Sequence, residues 1–299
     1  MAEPEEPSRR LRRRIAEGPV LAVPGAANAL TARVIEDLGF EAVYVSGAGI
    51  ANTFHGTPDI GLVTLTELAA HVAAIRDAVE VPLLVDADTG FGNPVGVRHA
   101  VQVLERAGAD AIQIEDQESP KRCGHFEGKR IVSKADMVQK VRAAADARRN
   151  DDVVLIARTD ARVLEGLDAA IDRAGAYLDA GADVAFVEAP QSVEEVRLLP
   201  SLLDAPQVIN LVQGGKTPLL SLAELAGFRL ALFANISLQA SVYGMQRVLG
   251  TLLATGSITP EMQGEVVNWE ERQRVVRKPY FDALEEHYES SLPEVSDAR

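Results

Sequence analysis

The chain has 299 residues, 47% of them hydrophobic, and a formal net charge of −14. That length suits one large α/β domain or two ordinary ones, and the apolar fraction is that of a folded enzyme, not of a disordered chain. So acidic a chain lacks the basic face that nucleic acid or an anionic membrane needs, no apolar run is long enough to span a bilayer, and a single cysteine excludes an intramolecular disulfide and fits a reducing cytoplasm.

In chain order, "MAEPEEPSRRLRRR" lacks the apolar core of a signal peptide and reads as the solvated start of a first helix. From residue 20 short apolar runs alternate with helical stretches. The runs are "VLAVPG", "AVYVSG", "PLLVDAD", "AIQIED", "VVLIART", "VAFVEA", "QVINLV" and "RLALFA". Most are near-continuous Val, Ile, Leu or Ala, as expected of parallel strands covered on both faces. Between them, "NALTARVIEDLG" opens on an Asn cap and closes on Gly, and other segments repeat the pattern. In "SVEEVRLLPSLL", Pro200 is expected to end the helix early. Eight strands, each followed by a helix, predict a (β/α)8 TIM barrel and not an open sheet. No GxGxxG follows the first strand, which disfavours a dinucleotide fold. The barrel with its N-terminal helix is assigned to 1–256, and a helical extension to 257–299.

Chemistry in such a barrel sits at the C-terminal strand ends. Six consecutive runs end in polar groups: Ser46 with Gly47 and Ala48, Asp86 with Asp88, Glu115, Arg158, Glu188 and Asn210. Asp86 and Asp88 lie two apart and are expected on one face of a strand. With Glu115 they make three converging carboxylates, which repel unless a cation or protons compensate. Hard oxygen donors without a His–Cys cluster favour Mg²⁺ or Mn²⁺, with one direct carboxylate and others acting through water. Asp59 in the second loop is a candidate for that water shell, as is Glu115. The alternative is a carboxylate–Arg158 ion-pair net without metal. The small residues after Ser46 offer backbone N–H groups to a carboxylate, and Arg158 offers a bidentate partner. The implied ligand is a small 2-hydroxy or 2-oxo acid. Cys123 falls in a long connection, 117–132, where Gly124 and Gly128 give backbone freedom and Lys121, Arg122 and His125 supply positive charge that eases thiolate formation.

The segments "VDADTGFGN", "IEDQESPKRCGH", "IARTDA", "FVEA" and "NLVQGGKTP" resemble the isocitrate lyase and phosphoenolpyruvate mutase superfamily over about residues 20–255. The resemblance points to its short-chain branch of methylisocitrate lyases, dimethylmalate-type lyases and carboxyphosphonoenolpyruvate phosphonomutases. It implies a Mg²⁺-dependent barrel forming a homotetramer, as a dimer of dimers that exchange a C-terminal helix. It also implies a loop that closes over substrate, with Cys123 as general acid and His125 beside it. Two departures bear on substrate: Gln213 stands where a Glu is usual, and Gln239 where methylisocitrate lyases place an Arg. Near Asn235, "FANIS" replaces the usual "YPLS". The expected reaction is retro-aldol cleavage of a substituted malate or methylisocitrate-like acid, the base being Tyr44, a metal-bound water or a carboxylate. Alternatives are a carboxyphosphonoenolpyruvate-type phosphonomutase and an oxaloacetate decarboxylase.

Overall fold

The computed structural model describes residues 5–122 and 128–290. Eight parallel strands close into a barrel in sequence order: β1 (Leu21–Ala26), β2 (Val43–Val45), β3 (Leu83–Asp86), β4 (Ala111–Glu115), β5 (Val154–Thr159), β6 (Val184–Val187), β7 (Gln207–Asn210) and β8 (Leu230–Phe233). Closure is made by β1 against β8, with Leu21 opposite Leu230 and Pro24 opposite Phe233.

The strands are apolar on both faces because both are covered. Val23, Leu84, Phe186 and Leu232 fill the barrel, while Val43, Val85, Ile112 and Leu155 pack outward on the helices. Tyr44 belongs to the inner cluster but carries a hydroxyl, which places a polar atom near the top of that core.

The helix Pro7–Ala16 adds Leu11 and Ile15 to the inner cluster. Its arginines are not merely solvated, as the sequence suggested. Arg12 donates to Asp183 at 3.0 Å and to the Val153 carbonyl at 3.2 Å, and Arg9 pairs with Asp152 at 2.9 Å. They tie the helix to residues flanking the starts of β5 and β6.

Caps set the helix starts as expected. Asn28 Oδ1 accepts the Thr31 N–H at 2.9 Å, and Thr64 with Glu67 forms a reciprocal capping box. The α-helix before Pro200 stops at Leu198 and passes into a 3-10 turn, Leu199–Ser201. After β7 the expected α-helix is replaced by one short 3-10 turn, Leu222–Leu225. Gly214 at φ 79° and Pro218 interrupt that stretch before a helical run can form.

The chain divides into two compact units, Met1–Ala240 and Ser241–Arg299, with the division inside the helix Ile236–Thr255. Three helices follow: Pro260–Gln263, Trp269–Val275 and Lys278–Ser290. Among the described residues no helix is long and apolar enough to cross a membrane.

Candidate active site

The C-terminal strand ends surround a solvent-open cleft. Its lining includes Tyr44, Ser46, Ala48, Asp59, Asp86, Glu115, Arg158, Glu188 and Asn210 from the sequence assignment, together with Lys121, Arg122 and Asn235. Cys123, Gly124 and His125 lie outside the described residues.

After β2 the chain turns straight into a short helix, Gly47–Ile50. Ser46 caps it, its Oγ accepting the Gly49 N–H at 3.0 Å. The N–H groups of Gly47 and Ala48 open that helix and have no intrahelical acceptor, so they suit a ligand carboxylate. A Cβ on Gly47 would come within 3.3 Å of Asp88 Oδ1 and 3.5 Å of Asp86 Oδ2. Glycine there keeps open the space over both carboxylates.

Asp86 and Asp88 meet, but not by strand alternation. β3 ends at Asp86, and Asp88 takes a left-handed conformation at φ 47°. Asp tolerates that region better than most residues. The turn is closed by the Gly90 N–H on the Ala87 carbonyl at 2.8 Å, and Asp88 is held by its N–H on Asp86 Oδ1 at 3.3 Å. Gln113 Nε2 also donates to Asp86 Oδ1 at 3.2 Å, while the Tyr44 hydroxyl donates to Gln113 Oε1 at 3.3 Å.

Charge balance in the cleft is unusual. Lys121 Nζ lies 2.6 Å from Asp59 Oδ1 and 2.8 Å from Asp88 Oδ1. Burial opposes its charge, yet Asp88, Asp86, Glu115 and Asp59 together hold its pKa well up. Asp88 is raised to about 7 by burial, against the opposing pull of Lys121. Burial also pushes Glu115 well up, and Glu115 Oε1 is buried with no hydrogen-bond partner among the described residues. Burial, then the Asp86 carboxylate, push the Tyr44 phenol well up, so it keeps its proton at neutral pH and serves as a donor.

Arg158 is the second buried cation. Its Nε lies 3.0 Å from Asp160 Oδ2 and 3.4 Å from Glu115 Oε2, its Nη1 lies 3.7 Å from Glu188 Oε2, and its guanidinium stacks over Phe186. The ion-pair net anticipated as an alternative is therefore present. It coexists with a donor set suited to a hard cation: carboxylates, an unsatisfied buried oxygen and a glycine cradle. Among the described residues no three of these side chains form a ready cage.

Asn210 and Asn235 each bring to the cleft a buried side-chain oxygen without a hydrogen-bond partner among the described residues. Gln213 and Gln239 do not line it; both are exposed, with Gln239 Nε2 donating to the Gln213 carbonyl at 3.3 Å. Lys129 was not singled out from the sequence, and Asp160, which follows β5 in "ARTDA", was legible only as part of the fifth strand end, without a role of its own.

A family model described as phosphoenolpyruvate phosphomutase matches residues 11–253. The 2,3-dimethylmalate lyase of Eubacterium barkeri is 41% identical over 271 residues, covering 90% of this chain and 93% of that protein. The 2-methylisocitrate lyase of Aeropyrum pernix is 41% identical over 295 residues, covering 98% and 92%. Among solved structures, oxaloacetate acetylhydrolase in complex with 3,3-difluorooxalacetate superposes with a TM-score of 0.88 at 31% identity, covering 97% of this chain and all of that one.

Proposed function

The chain belongs to the phosphoenolpyruvate phosphomutase family, within the PEP mutase/isocitrate lyase superfamily, and from that premise we propose that it is a carbon–carbon lyase acting on a 2-hydroxy dicarboxylate of the alkylmalate type. The observation that carries this reading is the convergence of Asp86, Glu115, Arg158 and Ala48 on one cleft, with Asp88 joined to it through Lys121 and facing Gly47.

The 2-carboxylate of the substrate is held by Arg158 and by the N–H groups of Gly47 and Ala48. Asp86 and Asp88 would hold a divalent cation, Mg²⁺ or Mn²⁺, with Asp59 and Glu115 reaching it through water. Bound there, the cation supplies Lewis acidity to the 2-hydroxyl oxygen. Glu115, whose Oε1 has no hydrogen-bond partner among the described residues, fits in its ionised form as the acceptor of the hydroxyl proton. The C2–C3 bond then breaks, C2 becomes the carbonyl of a 2-oxo acid, and the electron pair passes to C3 as an enediolate. Lys121 and Arg122 line the same cleft and offset that charge. Cys123 returns a proton to C3, completing the carboxylate product.

Substrate size follows from the charge at the other end. Among the described residues the cations lining the cleft are Lys121, Arg122 and Arg158, and Gln213 and Gln239 are neutral and lie outside it. A third carboxylate within the cleft would find no further cation among the described residues, and burying it unpaired is costly. Alkylmalates are therefore favoured over methylisocitrate.

A substrate panel with Mg²⁺, its products identified by NMR, tests the assignment. The panel includes 2- and 3-alkylmalates, methylisocitrate, oxaloacetate and phosphonopyruvate. Alkylmalate cleavage with the highest kcat/KM supports the reading. Turnover of oxaloacetate or phosphonopyruvate alone would replace it with a hydrolase or phosphomutase.

A further inference from the structure

Beneath Arg158 lies a buried network that the reaction itself does not use. Asp160 grips the guanidinium on one edge, with Nε 3.0 Å from Oδ2 and Nη2 3.1 Å from Oδ1. That bidentate fork fixes the plane of the guanidinium and leaves Nη1 on the Glu188 side.

Asp160 is itself held from two directions. Lys129 Nζ donates to its Oδ1 at 2.7 Å, with both side chains almost wholly buried. Its backbone N–H donates to Asp116 Oδ1 at 2.9 Å. Asp116 is fixed in turn by the hydroxyls of Thr159 at 2.7 Å and Tyr177 at 2.8 Å. Burial opposes ionisation of Asp160, but Arg158 and Lys129 overcome it and hold its pKa down at about 2. Lys129 sits next to the paired stem of the connection after β4, where Gln117 bridges Ile131 and the Glu118 N–H meets the Arg130 carbonyl at 2.8 Å.

We infer that Asp160 is a positioning residue, held by Lys129 and Asp116, that fixes the Arg158 guanidinium in the plane needed to receive a substrate carboxylate. The inference rests on the reading that Arg158 holds that carboxylate. A fully buried carboxylate with two buried cations is costly to assemble and is weak evidence of stability alone. What it secures here is orientation. Displacing a binding group by about 1 Å can cost on the order of 10²-fold.

The experiment measures oxalate affinity by calorimetry in Mg²⁺ buffer, with thermal denaturation and steady-state kinetics on the best malate. The variants are Lys129→Gln, Asp160→Asn, the two together, and Arg158→Lys. Asp160→Asn removes the carboxylate that two buried cations share and should melt lower. Adding Lys129→Gln removes one of those cations and should recover most of the melting temperature. Oxalate affinity and KM should not recover in the pair, remaining about 10²-fold weaker, with kcat changed far less. Lys129→Gln alone keeps the Arg158–Asp160 fork and should weaken oxalate by about tenfold. Recovery of oxalate affinity together with melting temperature would reduce the network to a structural role and overturn the inference. Wild-type oxalate affinity in Lys129→Gln would overturn the part given to Lys129. Wild-type affinity in Arg158→Lys would remove the reading on which the inference rests, whereas loss in Arg158→Lys without loss in the paired variant would defeat the inference alone.

Discussion

Cys123 is the single thiol in the chain, and its proposed task is to protonate a departing enediolate. Serine keeps the shape of the side chain, but an alcohol is a far weaker acid. General acid catalysis is typically worth about 10²–10⁴-fold. Cys123→Ser should lose that factor in kcat and keep its affinity for oxalate; near-wild-type kcat on the best malate would exclude the thiol as the acid. A second residue tests the electrostatics away from the cleft. Asp110 accepts the Leu83 N–H at 2.9 Å and pairs with Arg76 at 3.0 Å, yet burial raises its pKa from 3.8 to about 6. A raised carboxyl binds its proton more tightly in the folded state. The stabilisation from that proton is complete below pH 3.8 and is lost as the pH rises to about 6. The ionised form then costs about 3 kcal/mol relative to the acid. Asp110→Asn cannot ionise, so its urea stability relative to wild type should rise between pH 4 and 7. A flat difference would show that Asp110 titrates normally. At this scale the sequence revealed the strand-end donors but not their conformations. Asp88 was expected to share a face with Asp86 by alternation, whereas it reaches the cluster through a left-handed turn that no side-chain pattern encodes.

At the scale of elements, the strands were legible because burial on both faces leaves each as a continuous apolar run. The helices were legible where a cap marks the start, as at Asn28 and Thr64. The connection after β7 was not, because a helix count assumed from the repeat ignored Gly214, Gly215 and Pro218. The first helix was misread for a different reason. Its arginines look alike in sequence, but their partners are more than a hundred residues away for Arg9 and Arg12. Arg12 is partly buried, with a carboxylate and two backbone carbonyls as acceptors, whereas Arg13 is exposed and among the described residues pairs with Glu5 at 2.7 Å. Hydrogen bonds to charged groups are worth about 1.5–3 kcal/mol when partly sheltered, and exposed pairs about 0–1 kcal/mol. Arg12→Ala should therefore lower the urea midpoint by the equivalent of about 2 kcal/mol, and Arg13→Ala should leave it within about 0.5 kcal/mol. Equal effects of the two substitutions would mean that the helix is not anchored through Arg12.

For the whole molecule, the unit Ser241–Arg299 sets the remaining question. Its helices Trp269–Val275 and Lys278–Ser290 contain no buried residue, although Trp269, Tyr280 and Phe281 are large and apolar. Within one chain Trp269 is 67% exposed, its ring meeting the Arg272 guanidinium at 4.4 Å. Short helices draw most of their stability from tertiary packing, and several exposed aromatics on consecutive helices mark a surface that another protein covers. The same exposure is seen on Leu253, at 89%. A second copy of this chain, using these helices in a homo-oligomer, is the assembly we propose. Sedimentation velocity over a dilution series should show a species of at least twice the monomer mass at micromolar concentration. Phe281→Asp places a charge in that surface and should shift the distribution towards monomer while leaving the barrel's near-ultraviolet circular dichroism in place. Sedimentation of the unmodified chain as a monomer throughout the series would remove self-association as the reason these residues are apolar.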